Sequence, residues 1–154
     1  MRRAAALVAR QLSQGVTPER LALTIALGLV LGVFPVLGTT TILCGIAAAA
    51  LGLNQPVIQL VNYIAYPAQL VALIPFYRAG ETLFHRPHLP LSIPLLVERF
   101  RGNTGKFFAD FGIVAVDGVV VWCLVAPVAG AAIYLLARPS LQRLARRTRD
   151  VRAD

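Results

Sequence analysis

Between Leu21 and Tyr77 the chain has no Asp, Glu, Lys, Arg or His, an uncharged run of 57 residues. A second uncharged run covers residues 118–137. Only 14% of the residues are charged, against about 25% in soluble domains. About 18 apolar residues without charge suffice to cross a bilayer, and a soluble core of this size does not hide so long an uncharged run. The shortage of charge therefore excludes an ordinary soluble domain. Cysteine is scarce too: Cys44 and Cys123 both lie inside uncharged runs, where a thiol acts as a small apolar side chain, not as half of a disulfide.

Catalytic sets are also missing. There is no HExxH and no Ser/His/Asp arrangement, and the long uncharged run holds no general base. His85 and His88 flank Pro87 without a cysteine or third ligand nearby, so neither a metal nor any other cofactor is expected. The chain reads as a non-enzymatic protein.

What charge there is sits at the edges. Arg2, Arg3, Arg10 and Arg20 precede the first uncharged run; Arg138, Arg143, Arg146, Arg147, Arg149 and Arg152 follow the second, and the net charge is +8. Basic flanks are what the cytoplasmic face and its anionic lipids favour, so both tails are expected there. No aromatic stacking residues accompany the basic tail, which argues against nucleic acid as a partner. The apolar run Ala4–Ala9 is too short for a cleavable signal, and the N-terminus is expected to be retained.

One all-α membrane domain is expected over residues 1–154, with helices broken by Pro and Gly. Residues 1–16 form an amphipathic interfacial helix, 17–84 the core, 85–110 a connector with a short interfacial helix at Ile93–Phe100, 111–137 a last membrane helix and 138–154 a basic tail. Thr17-Pro18-Glu19 starts a helix with a cap, a first-turn Pro and an acid. Gly28 and Gly32 carry the small-residue spacing of close-packed membrane helices. Pro35 and Gly38, followed by Thr39, Thr40 and Thr41, break that helix. The segments on either side are too short to cross alone, so the break is either a kink or the turn of a re-entrant hairpin. If the threonines cap the second half-helix, its amides offer an anion site at membrane depth.

Asn54-Gln55-Pro56 restarts the chain as a helix, on which Gln55, Gln59, Asn62, Tyr66 and Gln69 recur at helical period. Such amides either bind helices together or line a polar site. Pro67 marks a second break, and Pro127 with Gly130 echoes Pro35–Gly38. Arg78 and Glu81, three apart, pair at the membrane edge. The candidate ligand-binding residues are Pro35, Gly38, Thr39, Thr40, Thr41, Gln59, Asn62, Gln69 and Arg78.

Ala26-Leu27-Gly28, Gly32-Val33-Phe34-Pro35, Gly38 and Thr41, then Leu53-Asn54-Gln55-Pro56, resemble a bacterial family of small membrane proteins, domain of unknown function twenty-sixty-two. Asn62, Pro67, Gln69 and the run Pro75–Glu81 extend the likeness over Thr17–Phe84; beyond that it rests loosely on Trp122, Pro127 and Tyr134. The chain departs in having Thr40-Thr41 where many members have Gln-Thr, and in lacking an Asn-Pro pair at the second break. Some members are fused to glycosyltransferase domains. The resemblance thus implies the bacterial inner membrane and envelope lipid or glycan chemistry. The expected function is to move or present an anionic lipid-linked substrate. The alternative is a structural subunit supporting a partner such as a glycosyltransferase. Membrane lipids, a second copy of the chain or an envelope glycan or lipid enzyme are the expected partners.

Overall fold

A computed structural model describes residues 17–87 and 104–153. The expected interfacial helices at 1–16 and Ile93–Phe100, and His88, lie outside the described residues. Four helices account for nearly all of the described chain, with no strand among the described residues: α1 (Pro18–Gly32), α2 (Thr40–Leu51), α3 (Gln55–Leu83) and α4 (Thr104–Ala153). The all-helical reading of the sequence holds.

Local signals set the helix ends. The Thr17 side chain accepts the Arg20 amide at 3.3 Å, and Pro18 occupies a position whose N–H would have no helical partner. Asn54 Oδ1 likewise accepts the Val57 amide at 3.0 Å, with Pro56 in the first turn. Gly52 closes α2 at φ +61°, in the left-handed region that costs glycine nothing.

The prolines behave differently from one another. Pro35 lies in a true break, residues 33–39, whereas Pro67 and Pro75 sit inside α3 and Pro127 and Pro139 inside α4. The breaks expected at Pro67 and Pro127 are therefore absent. A proline inside a helix removes one bond and bends the axis; neighbouring helices can hold the flanking turns in register. α4 begins before residue 111, at Thr104, and for the same reason continues past 137, through Pro139, into the basic tail.

α1 is the central element. Its N-terminal end touches the end of α2, where Arg20 donates to the Gly52 carbonyl at 3.4 Å. Leu23, Leu27 and Leu31 pack on Cys44, Ala48, Leu53 and Ile58. α1 and α2 are thus an antiparallel hairpin turning at 33–39. α3 runs alongside α1 in the same direction. A Cβ on Gly28 would lie 2.8 Å from Val61 Cγ1, and one on Gly32 would lie 2.8 Å from Ala65 Cβ. The two glycines are the contact face that brings these backbones together. α4 returns antiparallel: Trp122 reaches Val30, Leu141 packs on Leu21 and Ala22, and Gln142 donates to Glu19 at 2.6 Å.

α3 and α4 carry their apolar side chains outward. Ile64, Val71, Val128 and Leu136 are 66%, 75%, 72% and 74% exposed. Both helices are long and apolar enough to cross a membrane. The charged groups fall into two layers. Glu19, Arg20 and Arg138 lie at the open end of the hairpin; Arg78, Glu81, Arg86 and Asp117 lie at its turn end. Along α4, Asp117 and Arg138 are separated by about 30 Å of helix.

Candidate functional site

The turn at 33–39 is built from the residues the sequence singles out. Gly38 has φ +82°, and a Cβ there would meet nothing within 4 Å, so the requirement is conformational and not steric. Pro35 is fully buried. Where α1 stops, its last carbonyls lose the donors that the next turn would have supplied. Other helices provide them. Gln69 Nε2 donates to the Phe34 carbonyl at 2.8 Å and the Tyr77 hydroxyl to the Pro35 carbonyl at 2.7 Å. Trp122 Nε1 donates to the Val30 carbonyl at 3.2 Å, and its ring meets Phe34 edge-on at 4.9 Å between centroids.

The threonines act otherwise than expected. Thr39 has helical backbone angles and does not cap α2; its hydroxyl donates back to the Val36 carbonyl at 2.8 Å, tightening the turn. Thr40 is buried at the first position of α2. Thr41 receives the amides of α3: Gln59 Nε2 donates to its carbonyl at 3.0 Å, and Asn62 Nδ2 stands 3.4 Å from its hydroxyl and 3.4 Å from Gln59 Oε1. Gln55 donates to the Gly45 carbonyl at 2.9 Å. Tyr66, at the edge of the stripe, is half exposed and takes no part. The amides of Gln55, Gln59 and Gln69 are thus spent on the hairpin backbone, and that of Asn62 on side-chain oxygens beside it.

Arg78 stands one residue beyond Tyr77 and pairs with Glu81 at 2.8 Å, as its spacing predicts. A second pair was not legible in the sequence: Arg86 Nε lies 3.0 Å from Asp117 Oδ2. That oxygen nonetheless has no hydrogen-bond partner. The contact is therefore an ion pair of good distance and poor direction. Both acids are almost wholly buried, whereas the guanidinium side chains are 37% and 42% exposed. Gly80 lets α3 approach α4 closely here, since a Cβ on it would lie 2.7 Å from the Asp117 carbonyl carbon.

Below this corner an apolar groove of about 300 Å³ runs between α3 and α4, with α1 as its floor. Val30, Val33, Phe76, Trp122, Ala126 and Ala129 line it, among others, and no lining residue is polar in character beyond the indole. It opens sideways, since its rim residues Ile64 and Val125 are 66% and 47% exposed. Tyr77, Trp122, Arg86 and Asp117 complete the region. Trp122 was signalled in the sequence by the loose family likeness and by being the chain's single tryptophan, set inside an uncharged run. Among the described residues no three of His, Cys, Asp and Glu gather as metal ligands.

A family model described as "Uncharacterized protein conserved in bacteria (DUF2062)" matches residues 1–150. No curated protein and no solved structure matches the chain. The chain belongs to this bacterial family.

Proposed function

We propose that this member of the family is a non-enzymatic protein of the bacterial cytoplasmic membrane. It holds the chain of a lipid in the groove between α3 and α4 and presents an anionic headgroup at the turn end of the hairpin. One observation carries the reading: the groove is apolar, opens towards the outer faces of two apolar-coated helices, and reaches Phe76, within a helical turn of the charged layer at Arg78 and Glu81.

The membrane setting rests on exposure and charge. Contiguous exposed apolar surface on two long helices is unfavourable in water and favourable in lipid. The two charged layers are separated along α4 by about 30 Å, the thickness of a hydrocarbon core. In that frame α3 and α4 are the two crossings, and α1–α2 enters and returns to the side it left. The donors from Gln69, Tyr77 and Trp122 are what a broken backbone needs at such a depth. The arginine-rich tails then share the cytoplasmic side, with the Leu83 end of α3 opposite.

Trp122 supplies the test, because it is the single tryptophan and it lines the groove. Lipids with brominated chains are expected to quench its fluorescence in reconstituted vesicles. Ala129→Phe, which fills the groove, is expected to relieve that quenching; Val128→Phe, on the exposed outer face, is not. Quenching that ignores Ala129→Phe would contradict the reading.

The spent amides favour a second reading, a structural subunit that supports an envelope enzyme such as a glycosyltransferase. On that reading groove filling changes nothing, and a partner enzyme loses its place in the membrane when the chain is deleted.

A further inference from the structure

Beyond the groove the same two helices close on each other. Phe76 and Trp122 line the groove. One residue past Phe76, the Tyr77 ring packs on Gly118, where a Cβ would lie 2.7 Å from Cδ1; a Cβ on Gly80 would lie 2.7 Å from the Asp117 carbonyl carbon. Gly118 stands one helical turn from Trp122. Not even a methyl group fits between α3 and α4 at these two points, so their contact seals the turn end of the groove.

The sealed form carries two costs, and a hinge lies beside it. Asp117 is 2% exposed, yet its Oδ2 has no hydrogen-bond partner, because Arg86 Nε approaches to 3.0 Å in a poor direction. A buried oxygen without a donor is destabilising, and water satisfies it once the helices part. His85, between the end of α3 and Arg86, has φ +52°, a left-handed angle that residues other than glycine rarely adopt. Strain of this kind persists only where the surroundings impose it, and it collects in segments that switch. Pro75, two residues before Tyr77, is exposed within α3 and has no N–H for the Val71 carbonyl. A helix lacking that bond bends there more readily than elsewhere.

We infer that residues 76–86 are a hinged gate over the turn end of the groove, pivoting at Pro75 and held shut by Arg86 on Asp117 and by Tyr77 on the Pro35 carbonyl. The gate rests on the groove reading above and adds its regulation. Opened, it joins the groove to the membrane face at the Leu83 end of α3, so that a headgroup reaches that face while its chain stays in the groove. Water then takes the place of Arg86 at Asp117 and of Tyr77 at Pro35, and His85 relaxes.

The full chain, with Cys44→Ala and Cys123→Ala, is reconstituted in phosphatidylcholine vesicles with nitroxides at Leu83→Cys and Ile113→Cys, exposed positions on the gate and on α4. A control pair at Val71→Cys and Val128→Cys, also exposed, lies on the other side of the hinge and reports the rest of the bundle. In the parent each pair is expected to give one narrow distance distribution. Asp117→Asn removes the buried charge and leaves the half-exposed Arg86 to water, so no charge is stranded in the interior. Tyr77→Phe releases the other hold. Each variant is expected to add a population several ångströms longer at the gate pair and to leave the control pair unchanged. Adding Pro75→Ala, which returns the missing backbone bond, is expected to suppress that population. Trp122 gives a second readout: iodide, which stays in water, is expected to quench it several-fold more strongly in Asp117→Asn than in the parent.

Unchanged gate-pair distances in both variants, with quenching by brominated lipid still relieved by Ala129→Phe, would overturn the gate and leave the groove standing. Lengthening of both pairs would mean that the whole bundle loosens, and a longer population indifferent to Pro75→Ala would mean that the helix does not pivot there; either overturns the gate. A longer population without a gain in iodide quenching would show a corner that moves without opening the groove, and would overturn the assignment as well. If brominated lipid quenches Trp122 in no form of the protein, the groove falls, and the gate with it.

Discussion

The hydroxyl of Tyr77 donates to the carbonyl of Pro35 at 2.7 Å, joining residues 42 apart in sequence. The bond ties α3 to the one stretch where the chain abandons helical geometry. Together with Gln69 on Phe34 and Trp122 on Val30, it replaces donors that a continuing helix would have given. Three donors from two helices thus hold the turn.

These donors should differ in weight. Tyr77→Phe keeps the ring and removes one bond between helices, worth about 0.6 kcal/mol on average and about 1.7 at most in membrane proteins. Gln69→Leu does more, since it leaves a buried carbonyl without a partner at a cost of about 1–3 kcal/mol. Unfolding by denaturant in mixed micelles measures both. A Gln69→Leu protein as stable as the parent would show that these donors do not hold the turn.

Gly32 tests the approach of α1 and α3. Gly32→Ala puts a methyl 2.8 Å from Ala65 Cβ, closer than carbon atoms pack. The helices must separate, at about 1–3 kcal/mol. Adding Ala65→Gly removes the opposing methyl and is expected to restore most of the loss in the same unfolding assay. Failure of that rescue would mean that the two backbones do not meet at this point.

Pro67 should be dispensable for the fold. It is exposed and sits inside an unbroken α3, so Pro67→Ala returns a backbone donor without removing a contact. Stability is expected to stay level or rise; a fall above about 1 kcal/mol, the size of a typical destabilising mutation, would mean that the bend itself is needed for packing.

Much of the fold is legible in the chain. The caps at Thr17 and Asn54, the break at Pro35–Gly38, the glycine contact face and the inward amides all follow from local chemistry. Pro67 and Pro127 were not legible, because proline marks both a bend and a stop. At Pro35 a left-handed glycine three residues on makes the stop; at Pro67 none follows, and Gly130 after Pro127 stays inside the helix without a left-handed angle. Thr39 was legible as a hydroxyl at a helix start but not in its direction, since the Val36 carbonyl competes for it. The pairing of Arg86 with Asp117 spans the connector, and no spacing announces it. The groove is a property of three helices at once and has no sequence signature.

The sides on which the helix ends emerge test the central claim most directly. Single cysteines at Gln55, Leu83 and Ser140, in a chain with Cys44→Ala and Cys123→Ala, are labelled with an impermeant maleimide in oriented membranes. All three positions are exposed. Gln55→Cys and Ser140→Cys are expected to react from the cytoplasmic side, and Leu83→Cys from the opposite side. Labelling of Gln55→Cys and Ser140→Cys from opposite sides would mean that only one of α3 and α4 crosses the membrane, and would contradict the two-crossing arrangement.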